Sequence, residues 1–72
     1  MSFENPVLSL PAFERLQALD DLQKAALEAV LRDLGREARA LAEHSWRKNK
    51  APMAAYWKCV SVYANHIARS LR

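Results

Sequence analysis

Apolar and small residues in the later part of the chain recur at alternating spacings of four and three positions, in two separate stretches. The first stretch contains Leu27, Leu31, Leu34, Ala38, Leu41 and Ser45, and the second contains Met53, Trp57, Val60, Ala64, Ile67 and Leu71. This is the heptad spacing of helices that pack along one seam. Asn49 and Pro52 lie between the stretches and indicate a turn. The pattern predicts a long helix over about 21–48 and a final helix over about 52–71, packed as an antiparallel hairpin whose layers pair about Asn49.

The N-terminal segment has a different pattern. Pro6 and Pro11 each remove a backbone donor and restrict the preceding residue, so residues 1–10 are predicted to form an extended arm. Pro11 suits the first turn of a short helix, and Asp20 followed by Gln23 three positions later is typical of a capping box. A break before the long helix is therefore expected at Asp20, with a continuous helix through this residue as the alternative.

The composition supports an all-α fold. The chain has 72 residues, which fit a single helical domain over 1–72. Thirteen of them are Ala and ten are Leu, whereas Val and Ile together number five and Thr is absent, too few β-formers for a sheet. The one cysteine allows no internal disulfide, and Met1–Pro6 lack the basic start and apolar stretch of a signal peptide. We therefore expect a cytoplasmic protein.

Several apolar residues lie beside the predicted seam and need another cover. They are Phe13, Leu16, Leu19, Leu22, Val30, Tyr56 and Tyr63. The N-terminal segment can fold back over them to form a three-helix bundle, or two hairpins can pair into a four-helix bundle. Because a single core of this size contributes little stability, we expect self-association as a homodimer through this set.

Charge is unevenly distributed along the chain. Residues 1–43 contain eight acids and five bases, whereas residues 44–72 contain six bases and no acid. The candidate residues for binding an anionic partner are Trp46, Arg47, Lys48, Lys50, Lys58 and Arg69. Their cations can meet phosphates or carboxylates, and an indole can stack on a base. The structural alternative is that bases at a helix end cap its carbonyls and complement its dipole.

The sequence offers little for catalysis or metal binding. His44, Cys59 and His66 are the only soft ligands, and the last two are seven residues apart, too far for the usual chelating spacing. No nucleophile with a base and an orienting group is evident, and no Gly-rich loop is present. We therefore expect no enzyme activity, no metal, no cofactor and no membrane partner.

These observations lead to two functional hypotheses. The first is a small non-enzymatic regulator or inhibitor, of the accessory kind found on phages and plasmids, that binds stoichiometrically to another protein with an acidic surface. The second is a nucleic-acid-binding helical module that uses the basic hairpin tip and the basic stripe of the final helix, contacting DNA or RNA.

Overall fold

A computed structural model describes residues 5–71 of the chain. A 3-10 turn at Pro6–Ser9 is followed by three helices: α1 (Phe13–Gln17), α2 (Asp21–Arg47) and α3 (Ala51–Ser70). The described residues contain no strand, and α2 packs along α3 as an antiparallel hairpin. The predicted all-α hairpin is therefore confirmed, and both helix boundaries at the turn lie within one residue of the expected positions.

The N-terminus of α2 is defined by the predicted capping box. A side-chain oxygen of Asp20 accepts a hydrogen bond from the backbone N–H of Gln23 at 2.8 Å, and the Asp20 N–H donates to the Gln23 side-chain oxygen at 3.2 Å. Asp20 has an extended backbone, so the helix begins at Asp21. The break before the long helix is confirmed, and the alternative of a continuous helix is wrong.

The hairpin turn is a helix C-terminal motif built around Asn49. Its backbone has a φ of 59°, in the left-handed region that asparagine tolerates better than most side chains. The Asn49 N–H donates to the Trp46 carbonyl at 3.0 Å, and the Lys50 N–H donates to the Ser45 carbonyl at 2.8 Å. These two bonds form a Schellman motif, which satisfies carbonyls at the end of α2 and reverses the chain into α3.

The seam between α2 and α3 differs from the predicted one. Small residues fill it: the buried positions are Gly35, Ala38, Ala42 and Ser45 on α2, and Ala54, Ser61, Ala64 and Ala68 on α3. Ala38, Ser45, Ala64 and Leu71 are buried as predicted. Leu34, Leu41, Met53, Val60 and Ile67 are not buried, because the residue immediately after each takes its place. The remaining predicted seam residues, Leu27, Leu31 and Trp57, are half-buried.

Small side chains at these positions let the two helix axes approach closely, because interaxial distance depends on the residues at the contact. Gly35 shows how close the approach is. A Cβ atom added there would lie 2.7 Å from the Asn65 side-chain oxygen, so any larger residue requires the Asn65 side chain to move. In the predicted pairing of Leu34 with Ala64, Gly35 therefore takes the place of Leu34, whereas Ala64 stays buried in the seam.

The N-terminal segment folds back onto α3 of the same chain. The buried Asn5 side chain donates to the Tyr63 carbonyl at 3.0 Å, and the Gln17 side chain donates to the Ser70 carbonyl at 3.2 Å. Within the arm predicted to be extended, Pro6–Ser9 instead form a 3-10 turn, because the Asn5 side chain caps it by accepting from the Val7 N–H. Residues 1–4 of that arm lie outside the described residues.

Candidate functional site

A groove lies beside the seam at the hairpin tip, and we name it the tip groove. Its lining residues come from the end of α2 and the start of α3: Arg39, Ala42, Glu43, Trp46, Arg47, Ala51, Ala54, Ala55 and Lys58. The cavity volume is about 600 Å³. Four alanines contribute apolar surface, whereas three cations, one carboxylate and an indole supply the larger side chains. The small seam residues therefore also shape this groove.

The cations of the tip groove have no ion-pair partner among the described residues. Within residues 5–71, the ion pairs are Glu28 with Arg32 and Asp33 with Arg36, both inside α2. Arg39, Arg47 and Lys58 form neither ion pairs nor side-chain hydrogen bonds with described residues. Trp46 is 68% exposed. The groove therefore combines available positive charge with an uncovered aromatic surface.

This arrangement suits an anionic ligand that also carries an apolar or planar group. Arginine presents a planar set of donors that matches carboxylate or phosphate oxygens, and lysine supplies a compact charge. The indole of Trp46 offers a large face for apolar contact or stacking. Glu43 repels anions at its own position and so restricts where the negative groups of a ligand can lie.

The structure divides the six predicted anion-binding residues. Trp46, Arg47 and Lys58 line the tip groove. Lys48 and Lys50 are exposed at the turn but are not among its lining residues. Arg69 is exposed at the far end of α3, roughly 16 Å along the helix axis from Lys58.

Arg39 and Glu43 belong to the tip groove but were missed in the sequence interpretation. The signal was present, because Arg39 is seven residues before Trp46 and residues seven apart lie on one side of a helix. The uneven charge distribution does not indicate Arg39, because this residue lies within residues 1–43, where acids outnumber bases.

A second surface lies on the opposite side of the seam, and we name it the apolar face. It consists of exposed large residues from both long helices: Val30, Leu34, Leu41, Met53 and Tyr56. Leu34, Leu41 and Met53 come just before buried residues, and such positions project to one side of an antiparallel pair. Val30 and Tyr56 lie one helical turn from Leu34 and Met53 on the same side. Tyr56 is 55% exposed, with its ring edge-on to Trp57 at a centroid separation of 5.0 Å.

The predicted self-association residues take three different positions. Phe13, Leu16, Leu19 and Tyr63 are half-buried, and the N-terminal segment bonds to the Tyr63 backbone. Val30 and Tyr56 belong to the apolar face. Leu22 is 85% exposed near the start of α2, away from both surfaces.

The soft ligands do not form a cluster. Cys59 and His66 line a shallower cavity with Ala55, Lys58 and Val62, whereas His44 does not line it. In the part of the chain that the structure describes, no three His, Cys, Asp or Glu side chains converge on a common point. The Cys59 thiol is exposed and unpaired.

None of the helices formed by residues 5–71 combines the length and apolarity needed to cross a membrane. Comparisons of the chain with protein-family models, curated proteins and solved structures find no match.

Proposed function

We propose that this protein is a non-enzymatic regulator or inhibitor that acts by stoichiometric binding to another protein, whose acidic segment occupies the tip groove. The observation that carries the proposal is the set of unpaired cations around an alanine-lined groove with an exposed indole. The phage or plasmid origin and the cytoplasmic location stay predictions from the sequence.

The lining of the tip groove favours binding over catalysis. Its side chains include no hydroxyl, thiol or imidazole, the groups that most often act as nucleophile or general base. Apolar anchors in pockets and arginine contacts dominate the energy of many protein interfaces. An acidic segment with one large apolar side chain matches this chemistry, because that side chain can pack on the alanines and Trp46 while its carboxylates meet Arg39, Arg47 and Lys58.

Affinity capture with matched variants tests the proposal. The immobilised protein is compared with a triple variant, Arg39→Gln, Arg47→Gln and Lys58→Gln, and with a control, Lys48→Gln and Lys50→Gln, which changes only turn cations outside the groove. We expect a partner retained in near-stoichiometric amount by the wild type and the control, and lost from the triple variant. Equal retention by all three proteins, or no stoichiometric protein partner, would contradict the proposal.

Nucleic-acid binding is the second candidate, and the exposure of Trp46 between groove cations favours it. Single strands commonly bind by stacking bases on aromatic rings while basic residues neutralise phosphates. If this function is correct, log Kd for a single-stranded oligonucleotide depends on log salt, and the triple variant reduces that slope by about 2. Absence of oligonucleotide binding at low salt would exclude this candidate.

We also propose that the working form is a homodimer. Within residues 5–71, the core consists of small residues and the apolar face is left exposed. Small domains with limited cores commonly gain stability by association.

A further inference from the structure

We infer that a second copy of this chain covers the apolar face in a two-fold dimer that leaves both tip grooves open. The tip of each copy lies beside the opposite end of the other, and we name this antiparallel orientation head-to-tail. This inference rests on the homodimer in the proposed function and specifies its interface. The residues that carry it are Leu34, Leu41, Met53 and Tyr56, which the small-residue seam leaves exposed.

The size of the apolar face fits an interface with a second chain. Its five side chains are each about half exposed, which leaves on the order of 500 Å² of mainly apolar surface, near the upper end for the largest patch on a monomer. A standard interface buries roughly 800 Å² per partner. Leu8 and Leu10 of the N-terminal segment are also exposed and can supply much of the difference.

The composition of the core explains why a second chain is needed. No large side chain among the described residues is fully buried, and the seam consists mainly of Ala, Ser and Gly. Small side chains remove little apolar area from water, so the hairpin alone gains little hydrophobic stabilisation. Pairing two apolar faces converts the exposed Leu, Met and Tyr side chains into the large-residue core of a four-helix bundle.

Shape favours a head-to-tail orientation. Tyr56, Tyr63 and Ser70 are seven residues apart and lie on one side of α3. The N-terminal segment covers this side at Tyr63 and Ser70 but leaves it open at Tyr56. In a head-to-tail dimer, the N-terminal segment of one copy, with its exposed Leu8 and Leu10, contacts the uncovered part of α3 near Tyr56 in the other copy.

Charge favours the same orientation. The tip, residues 43–58, contains one acid and four bases, so a head-to-head dimer would place two basic tips together. The opposite end, residues 14–28 and 63–72, contains four acids and four bases. Head-to-tail pairing therefore brings each basic tip beside an end without net charge instead of beside a second basic tip, which lowers the electrostatic free energy of association.

The arrangement has a functional consequence. The tip groove and the apolar face lie on opposite sides of the seam, so pairing through the apolar face leaves both grooves facing outward. The dimer thereby presents two identical anion-binding grooves, one on each outer side. Two grooves on one rigid body allow bivalent binding of a partner that repeats its acidic segment.

Molar mass by sedimentation equilibrium is the first test. We expect twice the 8.2 kDa of one chain for the wild type, for the triple groove variant and for Leu22→Gln, which changes an exposed leucine outside the face. Leu41→Gln with Tyr56→Gln should shift the mass toward one chain or weaken association by at least tenfold. A wild type that stays monomeric at about 100 μM would overturn the inference. Because the groove variant remains dimeric, failed partner binding and failed dimerisation are distinguishable.

Cysteine cross-linking tests the orientation even if the interface variants do not fold. In a Cys59→Ser background, chains carrying Leu10→Cys are mixed with chains carrying Met53→Cys and oxidised. Head-to-tail pairing predicts disulfides mainly between the two different chains. Cross-links mainly between two Met53→Cys chains, or none above a denatured control, would overturn the head-to-tail arrangement.

Discussion

Residue size, more than residue apolarity, determines which positions form the seam. The heptad spacing predicts four positions that are buried in the seam, Ala38, Ser45, Ala64 and Leu71. The buried stripe overlaps the predicted one at these four positions, and elsewhere it contains the small residue that follows a large one, as with Gly35 after Leu34. Apolarity favours the large residues, but the helices approach most closely through the small ones, as Gly35 beside Asn65 illustrates. This choice depends on the relative placement of the two helices, which a single-helix pattern does not contain.

Ala68→Leu tests the small-residue seam. Ala68 is 0% exposed, so additional methylenes must displace α2 or adopt strained rotamers. We expect a loss of about 1–3 kcal/mol in the free energy of unfolding, measured by urea denaturation.

The control is Ala40→Leu, on an exposed position of α2 away from the seam, which should change the free energy of unfolding by less than about 0.5 kcal/mol. Similar effects for both substitutions would show that the seam is not packed through Ala68.

At the element scale, helix boundaries were predictable because local side chains define them. The Asp20 and Gln23 capping box and the turn at Asn49 both depend on bonds within a few residues. The conformation of the N-terminal segment was less predictable, because it also depends on the distant contact between Asn5 and Tyr63. The tip groove was half predicted: its aromatic and two of its cations were identified, whereas Arg39 and the alanine lining follow from how the helices pack.

Asp20→Ala removes the side-chain acceptor that caps α2. The Gln23 N–H then loses its partner, and we expect a loss of about 1 kcal/mol in the free energy of unfolding. Asp20→Asn should retain most of the stability, because asparagine also accepts the capping bond. Equal stability of all three proteins would mean that the capping box contributes nothing.

Asn49→Val tests the turn between α2 and α3. A β-branched residue is strained at a φ of 59°, and we expect a loss of about 1–2 kcal/mol, read from the urea midpoint. Asn49→Gly, which adopts positive φ without strain, should be as stable as the wild type or more so. Tolerance of valine would contradict the left-handed turn.

At the scale of the whole molecule, one packing choice links the fold to both surfaces. Because small residues form the seam, Leu34, Leu41, Met53 and Tyr56 stay outside, and alanines from both helices help to line the tip groove on the other side. The sequence predicts a homodimer on grounds of size, and its predicted interface includes Leu22, which lies away from the apolar face. The packing of the seam determines which apolar residues stay exposed. The apolar face can therefore be identified only from the packed structure.

The dependence of the melting temperature on chain concentration tests the central claim most directly. If the protein folds as a dimer through its apolar face, raising the concentration 100-fold adds about 2.7 kcal/mol to the stability of the folded dimer. With an unfolding entropy of about 2.1 cal/mol/K per residue in each of two chains, the melting temperature followed by circular dichroism should rise by about 5–10 °C. A melting temperature that stays constant within about 1 °C would contradict the account.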